Sequence, residues 1–272
     1  MSISFTYQNQ PITPVPEVER PRRLRLLSYN IQAGTATRRY HHYVTHSYRN
    51  LLPSIVRATT MENIGRLVGD YDIVGLQETD AGSLRSGFIN QTRYLAEQGR
   101  FPHWYQQSNR KVGKFAHVAN GLLSRFAATT VHEHRLPGTI PGRGALRVTY
   151  GTGENALSVF VVHLALGKRA RLNQVAHINE LIADLEHVIV MGDMNTRASS
   201  PELKLLQSQG GLRNPIAQWP TYPSWRPYRN IDHIFISDDL QVENARVLNC
   251  TLSDHRPVAL EIALPDKVGT TS

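Results

Sequence analysis

The sequence predicts a single α/β domain, and three observations carry that expectation. Strand-like and helix-like segments interleave from residue 23 to residue 265, with no repeat and no linker between them. Polar and acidic residues recur at the exits of apolar runs, where layered α/β proteins build their sites. The 272 residues, 40% of them hydrophobic, suffice for a full core.

The elements follow in order. Residues 1–22 carry four prolines and little apolar pattern, so they are expected to form an extended or disordered arm. "LRLLSYNIQ" alternates and ends in polar residues, a buried strand running into a loop. "SIVRATTMENIGRLVGD" sets Ile55, Ile64, Leu67 and Val68 at helical spacing, and "DIVGLQETD" is a second strand with a polar exit. "ANGLLSRF" and "GALRVTYG" are strands bounded by glycine, and "ALSVFVVHLALG" is a valine-rich strand with His163 near its exit. "RLNQVAHINELIADLEH" sets Leu172, Val175, Ile178, Leu181, Ile182 and Leu185 on one helix face. "VIVMGDMN", "NIDHIFIS" and "RPVALEIAL" complete the strands, and residues 266–272 are expected to fray.

Composition excludes some classes. One cysteine, Cys250, leaves neither an internal disulfide framework nor a multi-cysteine zinc site. No apolar run approaches the roughly 18 residues of a membrane span, and the N-terminal segment lacks the pattern of a secretory signal, so a cytoplasmic location is the expectation. Thirty basic against 22 acidic residues give a net charge of +8, which suits a polyanionic partner.

Six strand-end motifs carry the chemistry: "SYNIQ" (Asn30, Gln32), "LQETD" (Glu78), "VVHL" (His163), "MGDMNT" (Asp193, Asn195), "NIDHIF" (Asp232) and "LSDHRPV" (Asp254, His255). Singly, each has a structural explanation, because Asp, Asn and Ser cap turns and a histidine among valines is often a bonded core residue. Jointly they bring carboxylates and amides, which suit hard cations, next to histidines able to act as acid, base or cation. That is the chemistry of metal-assisted attack of water on a phosphate ester.

In this order the motifs resemble the endonuclease/exonuclease/phosphatase superfamily, over residues 24–264. The resemblance implies a four-layer α/β sandwich, two mixed sheets face to face with helices outside, and makes 23–265 the catalytic domain. It implies Mg²⁺ or Mn²⁺ as cofactor, with Glu78 as the principal ligand and Asn30 and Asp254 beside it. It implies that His255 contacts the scissile phosphate and that Asp232 fixes its tautomer. Asp193 would orient or deprotonate the attacking water, Asn195 would position a phosphate oxygen, and His163 would be a second phosphate-facing donor. Asn120 matches a position near the phosphate. Gln32 departs from the acidic residue of the repair-nuclease branch and contributes no charge toward a second metal.

Basic and aromatic segments supply candidates for substrate contact: Arg38 and Arg39 in "GTATRRYHHYVTHSYRN", Arg143 in "PGRGALR", and Trp225 and Arg226 in "PSWRPYRN", with "HWYQQSNRKVGKF" and "GKRARLNQ" as further basic loops. The expected substrate is DNA, cut as an exonuclease or endonuclease in a role such as repair. Phospholipid headgroups or small phosphate esters are the alternative, and a binding module without chemistry is a third. The absence of an exposed hydrophobic hairpin in the sequence pattern argues against membrane insertion. A monomer is expected.

Overall fold

The computed structural model describes residues 23–34, 55–138, 141–265 and 268. The arm 1–22, the segment with Arg38 and Arg39, and the remainder of 266–272 lie outside the described residues. Val268 is buried against the core, within the segment expected to fray.

Two six-stranded sheets stack face to face. The first runs β11 (Gln241–Val247), β12 (Val258–Ala263), β1 (Arg23–Asn30), β2 (Ile73–Asp80), β4 (Ala116–Ser124), β3 (His103–Val112). The second runs β5 (Thr130–Arg135), β6 (Gly144–Tyr150), β7 (Leu157–His163), β8 (His187–Asp193), β10 (Asp232–Ser237), β9 (Leu212–Arg213). Each sheet has one parallel pair, β1–β2 and β7–β8, and antiparallel neighbours elsewhere. Both parallel pairs are joined through a helix, α1 (Ile55–Val68) and α3 (Lys168–Ile182), as a parallel crossover requires.

Alternation along the central strands builds the layers. Leu26, Ile73, Val159, Val161, Ile189, Met191 and Ile234 face inward between the sheets. Leu27, Tyr29, Val74 and Leu76 face outward onto α1 and α2 (Gln91–Gln98), through Ile64, Val68 and Leu95. Phe160, Val162, Val190 and Phe235 face outward onto α3 and α4 (Pro201–Ser208), through Val175, Ile178, Leu203 and Leu206. The result is the expected helix–sheet–sheet–helix sandwich. Burying each of these side chains contributes about 1.5–3 kcal/mol. Among the described residues no helix is long and apolar enough to cross a membrane.

Two expectations are corrected. "HWYQQSNRKVGKF" is not a loop; its first ten residues form the edge strand β3, held by backbone pairing to β4 while most of its polar side chains stay outside the core. The β3–β4 hairpin also exposes apolar residues. Val112 is 47% and Phe115 54% exposed, and the preceding loop exposes Phe88 and Ile89. The short turn at Gly113, with φ of 53°, carries Val112 and Phe115 out beyond the core.

Candidate active site

The site is built where both parallel pairs end. In register, Asn30 closes β1 beside Gln77, and His163 closes β7 beside Asp193 at the end of β8. The antiparallel β10 begins opposite, with Asp232 paired to Asp193. Carboxyl ends of parallel strands leave backbone and side-chain groups pointing into one crevice.

Local backbone features aim the side chains. The β2–β4 register slips between Leu76 and Thr79, and Glu78 takes a left-handed φ of 56°. Such a bulge redirects a side chain out of the pleat, at a conformational cost that the surrounding sheet absorbs. Asn195 is also left-handed, with φ of 51°, and its backbone N–H donates to Asp193 Oδ1 at 2.9 Å. At Gly192, φ is 149° and a Cβ would stand 1.9 Å from the Val162 carbonyl oxygen, so only glycine allows β8 this approach to β7.

The side chains converge on Asp193. Asn30 Nδ2 donates to Asp193 Oδ2 at 3.1 Å and reaches Glu78 Oε1 at 3.4 Å, which ties the two sheets together. His163 Nε2 lies 3.5 Å from Asp193 Oδ2 and 3.9 Å from Glu78 Oε1. His255 Nε2 lies 3.8 Å from the same Asp193 oxygen. The other ring nitrogen, Nδ1, donates to Asp232, 2.9 Å from Oδ1 and 2.8 Å from Oδ2. Thr221 Oγ1 in turn donates to Asp232 Oδ2 at 2.5 Å. No strand-end motif marked Thr221, nor Tyr222, whose ring centroid is 4.9 Å from that of His255.

The two imidazoles differ in charge. Burial pushes His163 down to about 3, against the pull of Asp193, so it is neutral near pH 7. Burial also opposes the His255 cation, but the Asp232 and Asp193 carboxylates outweigh it and hold the ring well above its usual range. Of the two rings, only His255 has the surroundings of a cation. Arg143 is half-buried; burial lowers its guanidinium, while the Asp193 and Glu78 carboxylates pull it back up.

The remaining candidates fall as follows. Asp254 is buried, and its hydroxyl neighbour Ser253 donates to Oδ1 at 3.2 Å. Asn120 is fully buried and bridges the sheets, Nδ2 donating to the carbonyls of Gly144 at 3.1 Å and Val161 at 3.4 Å. Asn195 Nδ2 donates to the Leu164 carbonyl at 2.9 Å. Trp225 is half-buried and Arg226 exposed, and neither makes a side-chain hydrogen bond or ion pair with the cluster among the described residues.

The donor set fits a divalent cation. Burial raises the Asp254 carboxyl to about 6; His255 opposes the rise, while Glu78 and Asp193 add to it. Carboxyl groups that strain one another in this way are relieved by a hard cation, and oxygen donors are the set that Mg²⁺ or Mn²⁺ takes. The Glu78 side chain is 36% exposed, so its carboxylate is accessible. Ligand atoms of Asp193, Asp232 and His255 also lie within 4.8 Å of one another. There, however, His255 Nδ1 and Asp232 are spent on each other, and an ion would have to break that bond.

Comparison with known proteins agrees with the fold and gives the family. The model of the endonuclease/exonuclease/phosphatase family matches residues 27–255. No curated protein sequence matches the chain. Among solved structures, an endonuclease/exonuclease/phosphatase from Beutenbergia cavernae is 19% identical, with a TM-score of 0.70 over 91% of this chain and 73% of that one. A mannosyl-6-phosphatase from Bacteroides thetaiotaomicron is 20% identical, with a TM-score of 0.66 over 89% and 100%. The catalytic domain of human nocturnin, with bound sulfate, is 17% identical, with a TM-score of 0.62 over 90% and 96%. The chain belongs to the endonuclease/exonuclease/phosphatase family, whose members are phosphoric ester hydrolases, typically dependent on a divalent metal.

Proposed function

We propose that this chain is a divalent-metal-dependent phosphodiesterase whose substrate is nucleic acid, DNA in the first instance. The carrying observation is the line Asp232–His255–Asp193. A buried imidazole held as a cation by one carboxylate faces a second carboxylate across 3.8 Å. A phosphate oxygen entering beside that cation meets a hydrogen-bond donor whose tautomer Asp232 fixes.

An ion held by Glu78, with Asn30 and Asp254 beside it, would offset charge on the phosphate. Asp193 is the base: it takes a proton from water as the new O–P bond forms and the opposite O–P bond breaks in line, the leaving oxygen departing with the electron pair and taking a proton from solvent. His255 donates to the phosphate as negative charge develops on it, and neutral His163 adds a second donor without adding charge. Arg143 draws the anionic substrate toward the cluster. The net charge of +8 supports a polyanionic substrate over a neutral one.

A second reading, hydrolysis of small phosphate esters, is favoured by the likeness to the mannosyl-6-phosphatase and to a 2′,3′-cyclic phosphatase. The test offers duplex DNA, single-stranded DNA, an abasic duplex, sphingomyelin and sugar or inositol phosphates side by side, each with Mg²⁺ or EDTA. Cleavage of DNA with Mg²⁺ and none with EDTA is the expected result. Intact DNA with turnover of a soluble ester or lipid overturns the nucleic-acid assignment.

A further inference from the structure

Beyond Asn195 the exit of β8 opens onto a cavity of about 470 Å³, lined in part by Asn195, Arg171, Arg197, Ser199 and Arg229, with no carboxylate in its wall. Its cations differ in availability. Arg171 is spent: Nη2 is 2.8 Å from Glu202 Oε1, Nε donates to the same oxygen at 2.9 Å, and Nη1 donates to the Ala165 and Leu166 carbonyls. Arg197 is exposed and Arg229 half-buried, and among the described residues neither is in an ion pair. Arg229 is steered by its backbone pairing with Tyr222, over whose ring its guanidinium lies 5.9 Å from the centroid. The same ring is the one against His255. One wall of the cavity is therefore fixed to the imidazole of the active site, and another is Asn195, bonded to Asp193.

Two guanidinium groups around a space without acids favour an anion, and guanidinium geometry suits phosphate oxygens. We propose that this cavity holds a second phosphate of the substrate, one other than the phosphate being hydrolysed. The enzyme then selects phosphodiester chains or doubly phosphorylated esters over compounds with a lone phosphate. This rests on the phosphoesterase reading of the Asp193–His255 cluster. Arg197 and Arg229 bind the substrate without touching the reacting atoms.

The experiment uses two matched pairs with the full chain and Mg²⁺: the thymidine dinucleotide TpT against pTpT, and glucose 6-phosphate against glucose 1,6-bisphosphate. A preference of about tenfold or more in kcat/KM for the doubly phosphorylated member of one pair is expected, the scale of one charge-assisted contact. The pair that shows it identifies the source of the second phosphate. In an Arg197→Gln, Arg229→Gln double variant the preference collapses to within about twofold. An Arg93→Gln control, at an exposed position of α2 on the outer face of the first sheet, leaves it in place. No preference in either pair, or a preference that survives the double variant, overturns the proposal. Titration calorimetry on an Asp193→Asn chain separates the two readings. Tighter binding of the doubly phosphorylated member of either pair, abolished by the double variant, upholds the subsite even without turnover, and equal binding within both pairs overturns it.

Discussion

Asp232 holds His255 through both carboxylate oxygens, at 2.9 and 2.8 Å, and is itself held by Thr221. His255 therefore binds its proton more tightly in the folded chain than in the unfolded one. Its contribution to stability is complete below the unfolded value near 6.5 and is lost as pH rises through the elevated folded value. Asp232→Asn removes one of the charges responsible, so that loss moves to lower pH. Thermal melts of both chains from neutral to alkaline pH, with chelator present, check the shift; superimposable profiles would refute it. Turnover in the same variant is expected to fall at least about a hundredfold.

His255→Ala and Asp193→Ala are each expected to abolish turnover while the chain stays folded. Asp193 ends β8 and His255 lies in the loop before β12, both outside the apolar layers, so far-ultraviolet circular dichroism is expected to match the parent. Near-normal activity in either variant would remove that residue from the mechanism.

Mg²⁺ or Mn²⁺ is expected to stabilise the folded chain independently of any substrate. At about 100 times its dissociation constant an ion adds about 2.7 kcal/mol, or about 5–10 °C in midpoint for a domain of this size. Glu78→Gln removes the accessible carboxylate and most of that shift. Differential scanning calorimetry with and without metal reads it, and an equal shift in both chains would exclude Glu78 as the ligand.

Gly192→Ala is expected to cost about 3 kcal/mol or more, because its Cβ has no room against Val162 and its φ is disfavoured. Urea denaturation measures the loss. Activity falls further than stability alone explains, since the displaced strand carries Asp193.

The central strands were legible in the sequence because both of their faces are buried. β7 and β8 are nearly unbroken apolar runs. Edge strands β3, β5 and β11 were not. Backbone pairing holds them while their mostly polar side chains, as in "TVHEHR" at Thr130–Arg135, stay largely outside the core, so no apolar period marks them. The residues around Asp193 were legible because they stand where apolar strands end or begin. The charge of His163 was not, since it follows from burial that only the stacked sheets create. In "PSWRPYRN" it is Arg229, not Arg226, that lines the cavity. Which of two arginines faces a cavity depends on the turn that pairs Tyr222 with Arg229, and composition carries no trace of it.

The strand order also sets a timetable. β12 fills the slot between β11 and β1, and the residues just before it bring in Asp254 and His255. A nascent chain that has emerged only through β8 already carries Asn30, Glu78, His163 and Asp193, yet lacks the imidazole and its acidic anchor. Among the described strands, β1 must wait for β12 to pair along its other edge. A chain made only through β8 therefore carries Glu78 and Asp193 without the His255–Asp232 pair, and the cluster is complete only once synthesis has passed β12.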